Sequence, residues 1–189
     1  MTHIPRPTTP RLPAVVVATA DLDQLIATRV VGDGGLPNIL GVMAHQPRVL
    51  KHFTRLGGAF LAAGLLPARE REIVILRVGW KCGSVYEFAQ HTVMGRKAGL
   101  GDDEIAALAD TTPAGRWSED DRALIALADE LCDDDCVGDA TWAALRRRWN
   151  DGELVELVTM AGFYRMVSGF LNTMGVPLDE GLPSWPARA

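Results

Sequence analysis

The stretch Pro67-Ala-Arg-Glu-Arg-Glu-Ile-Val-Ile-Leu-Arg-Val-Gly-Trp80 decides the fold. Its centre, Ile73-Val-Ile-Leu76, has the unbroken, β-branched character of a buried strand. Its flanks say helix. Pro67 suits a first helical position, where a missing N–H loses no partner, and acids follow in the first turn, where the helix dipole favours negative charge. Nothing else in the chain offers this run a strand to pair with. The segment reads as a helix over 67–80.

The next helix runs over 84–98 and is closed by Gly99. The two are expected to form a central antiparallel hairpin, with Gly79, Gly83 and Gly95 allowing close backbone approach. Upstream, Asp21 can cap a short helix bearing Leu22, Leu25 and Ile26. A short apolar helix over 36–45 is stopped by Pro47, which opens a longer one ending at Gly64. Downstream, Asp102 and Asp103 precede a short helix around Ile105, and 111–115 is a loop. Ser118 starts a helix through Leu124, Leu127 and Leu131, and further helices cover 139–149 and 153–172. The fold class is therefore all-α, a helical bundle. One domain spans 21–178, between a proline-rich arm at 1–20 and a polar tail at 179–189.

With 189 residues and 48% apolar content, the chain has enough for one ordinary domain with a real core. The net charge of −5 argues against nucleic acid and anionic membranes, both of which need a basic face. Arg146-Arg-Arg148 is too short a run to change that and reads as a solvated face. Three cysteines without framework spacing suggest reduced thiols and a cytoplasmic, soluble protein.

Chemistry concentrates in Cys82-Gly-Ser-Val-Tyr-Glu-Phe-Ala-Gln-His91. Glu87 and His91 are i and i+4 on one helix face, so carboxylate and imidazole can meet. Glu72 lies upstream on the preceding helix. An acid and a base held together in a partly dry place can transfer protons near neutral pH. The plainer readings are a structural i,i+4 pair and, for Glu72, a solvated first-turn acid. Tyr86, Ser84 and Trp80 flank the pair as candidate substrate contacts, and His45 is either a helix-end residue or a pocket wall. Trp80 also reads as a core anchor. Cys82 reads as a small buried residue with no partner at helical reach. Cys132 and Cys136 sit among Asp133, Asp134 and Asp135, whose charge suppresses thiol reactivity.

Leu66 to Trp80, Tyr86-Glu-Phe-Ala-Gln-His91 and Ala98-Gly-Leu-Gly-Asp-Asp-Glu-Ile105 together resemble the carboxymuconolactone decarboxylase family, which includes the alkylhydroperoxidase AhpD-like proteins. Leu40 to Pro47, Tyr164-Arg-Met-Val and Leu171-Asn-Thr-Met-Gly-Val176 extend the likeness to roughly 22–178. The resemblance implies an AhpD-like bundle that self-associates as a trimer or hexamer, or as a dimer. The peroxidase branch of that family uses a Glu, then Cys-x-x-Cys-x-x-x-His. Carried over, its Glu and His fall on Glu72 and His91, and its cysteines on Ser84 and Glu87. No dithiol stands there, so alkylhydroperoxidase activity is disfavoured. The decarboxylase branch, which keeps Glu-x-x-x-His without the cysteines, is the closer match. It implies a cofactor-independent, metal-free decarboxylase or isomerase acting on a lactone or keto-acid type carboxylate. In this reading Glu87 orients His91 and Glu72 shuttles protons. A carboxylate substrate also needs a cation, with Arg77, Arg165 and Arg69 as candidates. A non-catalytic, ligand-binding relative remains the other class.

Overall fold

The computed structural model describes residues 4–15, 36–113 and 117–185, and among them eight helices and no strand. In chain order these are α1 (Asn38–Met43), α2 (Pro47–Ala62), α3 (Ala68–Lys81), α4 (Val85–Lys97), α5 (Asp102–Leu108), α6 (Glu119–Asp134), α7 (Asp139–Leu145) and α8 (Asp151–Met174). The helix expected around Asp21 and part of the 111–115 loop lie outside the described residues.

The chain divides into two compact units. The first comprises Met1–Gly64 and Phe170–Glu180. Pro47 opens α2 as expected, and the helix ends at Ala62, just short of Gly64. The proline-rich segment is tied down rather than loose. Arg11 N–H donates to Met174 O at 2.9 Å and Val15 N–H to Gly41 O at 3.0 Å. The start of the tail is held as well, because Asp179 Oδ1 accepts the Asn38 N–H at the head of α1 at 2.7 Å. Gly175 has a φ of +62°, and a Cβ there would sit 2.7 Å from Thr9 O, so only glycine fits.

The second unit comprises Leu65–Gly169 and Gly181–Ala189, with α3 at its centre. Every residue from Glu72 to Gly79 is buried. That resolves the strand-like run at Ile73–Leu76. A helix enclosed on all sides must be apolar all round, and periodicity then vanishes from its sequence. α3 packs chiefly on α6 and α4. Against α4 it runs antiparallel: Gly79 faces Phe88 and Glu87, and Gly95 faces Leu76 and Glu72. Gly83 serves differently from expectation. Its φ of +60° makes the α3–α4 turn rather than a close helix contact.

Against α6, α3 runs parallel, and ion pairs mark the register. Arg69 Nη1 meets Asp121 Oδ1 at 2.8 Å, Arg77 Nε meets Asp129 Oδ1 at 2.5 Å, and Lys81 Nζ meets Asp133 Oδ2 at 2.6 Å. Asp121 also caps α6: Ser118 Oγ accepts its N–H at 3.0 Å, while its Oδ2 accepts the Ser118 N–H. α8 begins earlier than the apolar pattern suggests because Asn150 and Glu153 cap it reciprocally. It is long and apolar enough to cross a membrane by composition, but half of that window is buried, as in a core helix. The tail residue Trp185 lies against Phe88 of α4, with ring centroids 5.1 Å apart.

Arg77 is 1% exposed and depends on Asp129 for its charge partner. Removing one member of a buried pair typically costs about 3–5 kcal/mol, and Asp129 is partly exposed, so Asp129→Ala should lower stability by about 2–3 kcal/mol. The shift in urea midpoint measures it; a change indistinguishable from an exposed-surface substitution would show that the three carbonyls around Arg77 suffice.

Candidate functional site

Glu72 sits in the second turn of α3, Glu87 in the first turn of α4, and His91 one turn further along α4. The antiparallel hairpin places Glu72 opposite the His91 side of α4. His91 Nδ1 lies 2.6 Å from Glu72 Oε2, and Nε2 lies 3.0 Å from Glu87 Oε1. Both ring nitrogens therefore face carboxylate oxygens, an arrangement that suits an imidazolium donating two charge-assisted hydrogen bonds. Glu72 is 0% exposed, Glu87 4% and His91 5%, so Glu72 is the sealed end of the chain of groups. A solvated first-turn role for Glu72 is excluded by that burial.

Two further side chains complete the cluster. Arg71 Nε donates to Glu72 Oε1 at 3.1 Å. Tyr164 of α8 meets the His91 ring edge-on, with centroids 4.9 Å apart and planes at 82°. Tyr164 stood in the resemblance but not among the expected site residues, and Arg71 was missed entirely. A contact between helices so far apart in sequence leaves no trace in spacing. For Arg71 the only signal was its adjacency to Glu72.

The electrostatics follow from burial and charge. Burial favours the neutral ring of His91, but the charge and hydrogen bond of Glu72, then those of Glu87, outweigh it, and His91 is pushed up to about 10. The direction is upward from an imidazole's ordinary value of about 6.5. Burial, then the charges of Glu87 and Glu72, hold the Tyr164 phenol well above its ordinary value, so it remains an O–H donor. With Arg71 and the imidazolium against two carboxylates, the cluster is close to neutral.

The other expected contacts fare unequally. Ser84 is the N-cap residue of α4, fully buried, and its hydroxyl has no hydrogen-bond partner among the described residues; the Ser168 hydroxyl, one turn after Tyr164 on α8, is likewise buried without one among them. Tyr86 is buried on α4 beside Glu87. Trp80 has its ring under the Arg77 guanidinium at 4.7 Å. Arg77 is withdrawn from substrate binding. Its three nitrogens donate to Asp129 and to the carbonyls of Leu108, Asp110 and Thr111. Arg69 is held by Asp121 and Glu104. Arg165 pairs with Asp135 and donates to Leu131 O. His45 lies in the first unit, exposed, with Nε2 2.8 Å from Pro13 O. Among the described residues no group of His, Cys, Asp and Glu has metal-binding geometry. A shallow groove of about 480 Å³ lined by Trp142, Arg146, Leu154, Val155 and Val158 contains none of the candidate residues.

Residues 47–130, which carry this hairpin, match the model of the Carboxymuconolactone decarboxylase family. No curated protein matches the chain. Among solved structures it is similar to the alkylhydroperoxidase AhpD core of an uncharacterized peroxidase-related protein from Ralstonia eutropha JMP134 (TM-score 0.79, 19% identity, covering 93% of this chain and 95% of that one). It is also similar to an uncharacterized peroxidase-related protein from Silicibacter sp. TM1040 (TM-score 0.74, 16% identity, 90% and 94%). A third is the debrominase Bmp8 in complex with 2,3,4-tribromopyrrole (TM-score 0.74, 14% identity, 91% and 95%). At these identities the likeness shows the fold alone, an all-helical one like that of the AhpD core, as the sequence resemblance implied.

A histidine whose folded pKa lies above its unfolded value of about 6.5 contributes stability in full below that value, and loses it as pH rises towards about 10. Stability should therefore decline between these limits in the wild type, and His91→Gln should flatten the decline. Urea midpoints from pH 6 to 10 read the effect; parallel curves for the two proteins would refute the imidazolium.

Proposed function

We propose that this chain is a cofactor-independent acid–base enzyme that delivers a proton to carbon as a small organic acid loses carbon dioxide. The substrate class is a lactone or keto-acid type carboxylate. The observation that carries the reading is the buried Glu72–His91–Glu87 relay, whose imidazolium already holds a proton at neutral pH. Decarboxylation needs such an acid. The carbon–carboxylate bond breaks, its electron pair stays on a dienolate-type carbon, and a proton must arrive there. An isomerisation that starts by abstracting a proton would need the relay unloaded first.

The geometry also distributes the roles. His91 uses both nitrogens on carboxylates, so it does not itself face a substrate. Glu87 Oε1 pairs with His91, leaving Oε2 outside that pair, and Glu87 is the group that passes the proton on. Glu72, anchored by Arg71, holds the Nδ1 proton and stabilises the charged ring. This reverses the parts that the sequence suggested for the two acids. The Ser84 hydroxyl, one turn before Glu87 and buried without a partner, is suited to a substrate oxygen. Arg71 is the cation closest to the relay, and it is paired with Glu72 within it. Self-association through exposed apolar groups such as Leu65, Trp142 and Val155 accompanies this reading.

The test is incubation of the purified protein with unsaturated lactone acids and β-keto acids in D2O, with mass spectrometry for loss of carbon dioxide and gain of one deuterium. Turnover should persist to about pH 9 and fall above it as His91 deprotonates. His91→Gln and Glu87→Gln should each lower kcat by about 100- to 10,000-fold, the range for removing a general acid. Tight binding without turnover, unchanged in His91→Gln, would mark the chain as a ligand-binding relative instead.

A further inference from the structure

The three cysteines take no part in the relay, and all are thiols. Cys82 closes α3 at its C-cap, in the turn that carries Gly83 and leads to Ser84. Cys132 sits in the last turn of α6. The parallel register of α3 and α6 brings these two ends together, and the Lys81–Asp133 pair at 2.6 Å and the Arg77–Asp129 pair hold them there. Across the two helix ends Cys132 and Cys82 are hydrogen-bond neighbours, which gives Cys82 a partner on another helix rather than at helical reach on its own. That hydrogen bond, and then burial, push the Cys132 thiol up, against the pull of Arg165 and Lys81. Both residues are half-buried, within reach of a small reagent. Cys136 is excluded as a competitor even though it lies four residues from Cys132. α6 ends at Asp134, and Asp135 adopts a left-handed conformation, φ 56°, which turns the chain off the helix. Cys136 is exposed, and its thiol faces its neighbour's carbonyl, Val137 O, at 3.7 Å.

We infer that Cys82 and Cys132 form a reversible intramolecular disulfide, a redox modification site that fastens the α3–α4 turn to the end of α6 and is separate from the acid–base relay. The oxidant is a low-molecular-weight disulfide. The Cys82 thiolate attacks one of its sulfurs, forming a mixed disulfide and releasing one thiol, which takes up the proton that Cys82 lost. Cys132, after giving up its own proton, then attacks the Cys82 sulfur and displaces the second thiol. The protein loses two hydrogens, and the reagent becomes two thiols.

The native, full-length protein is treated with oxidised glutathione, then alkylated, and its non-reduced peptides are mapped. Accessible thiols should fall from three to one, with Cys136 alkylated, a Cys82–Cys132 cross-linked peptide present and dithiothreitol restoring the starting state. Cys132→Ser should stop at a stable glutathione adduct on Cys82, while Cys136→Ser should cross-link like the wild type. A Cys132–Cys136 peptide, disulfide-linked dimers, or glutathione adducts on Cys82 and Cys132 in wild type without a cross-link would each overturn the assignment.

Discussion

A helix buried on every side cannot leave a charge unmatched, and α3 carries several. Arg69, Arg71, Glu72, Arg77 and Lys81 all lie on an element whose central residues have no exposure. Removing such groups from water is tolerable only where opposite charge and hydrogen bonds meet them. The organisation of the second unit follows from that requirement. The cations on one side call for Asp121, Asp129 and Asp133, which fixes α6 in a single register. Glu72 on the other side is met by Arg71 of its own helix and by His91 of α4. Packing and chemistry have the same origin here, since the buried carboxylate that raises His91 is matched by it together with Arg71.

The hairpin was legible in the sequence because its signals are local. Pro67, the first-turn acids and Gly99 punctuate α3 and α4, and Glu87 and His91 share a face by arithmetic alone. Glu72 could be joined to them only by family likeness, and its partner atom could not be foreseen. What stayed hidden depends on register between helices distant in sequence. Arg77 looked like a substrate ligand because a sequence cannot show three backbone carbonyls converging on a guanidinium. Cys82 looked solitary because Cys132 is about fifty residues away. Tyr164 and Ser168 belong to α8, whose near-continuous apolar character conceals which side faces the hairpin. The tail looked polar and free, yet Trp185 returns to Phe88.

A carboxylate stands in this cluster where the peroxidase-type motif has a thiol, and the substitution changes the currency of the site. A thiol there exchanges electrons, and the histidine serves its ionisation. With Glu87 in place, the histidine is bracketed by two carboxylates, and in the proposed function it serves as a proton store instead. The backbone hairpin is indifferent to the exchange, because in both cases the second residue lies one helical turn before the imidazole.

The parallel pairing of α3 with α6 bears on how the unit assembles. α3 and α4 meet through a turn of a few residues, so their contacts form at small entropic cost. α3 and α6 point the same way, which obliges the chain to travel through α4 and α5 before the charges can meet. Closing so large a loop is slow and is rewarded only when the whole ladder engages. The hairpin is consequently expected to form first, with α6 docking on it later. Until then the buried face of α3, with its arginines and its apolar run, remains in water, and it is in this interval that the chain is most exposed to misassociation.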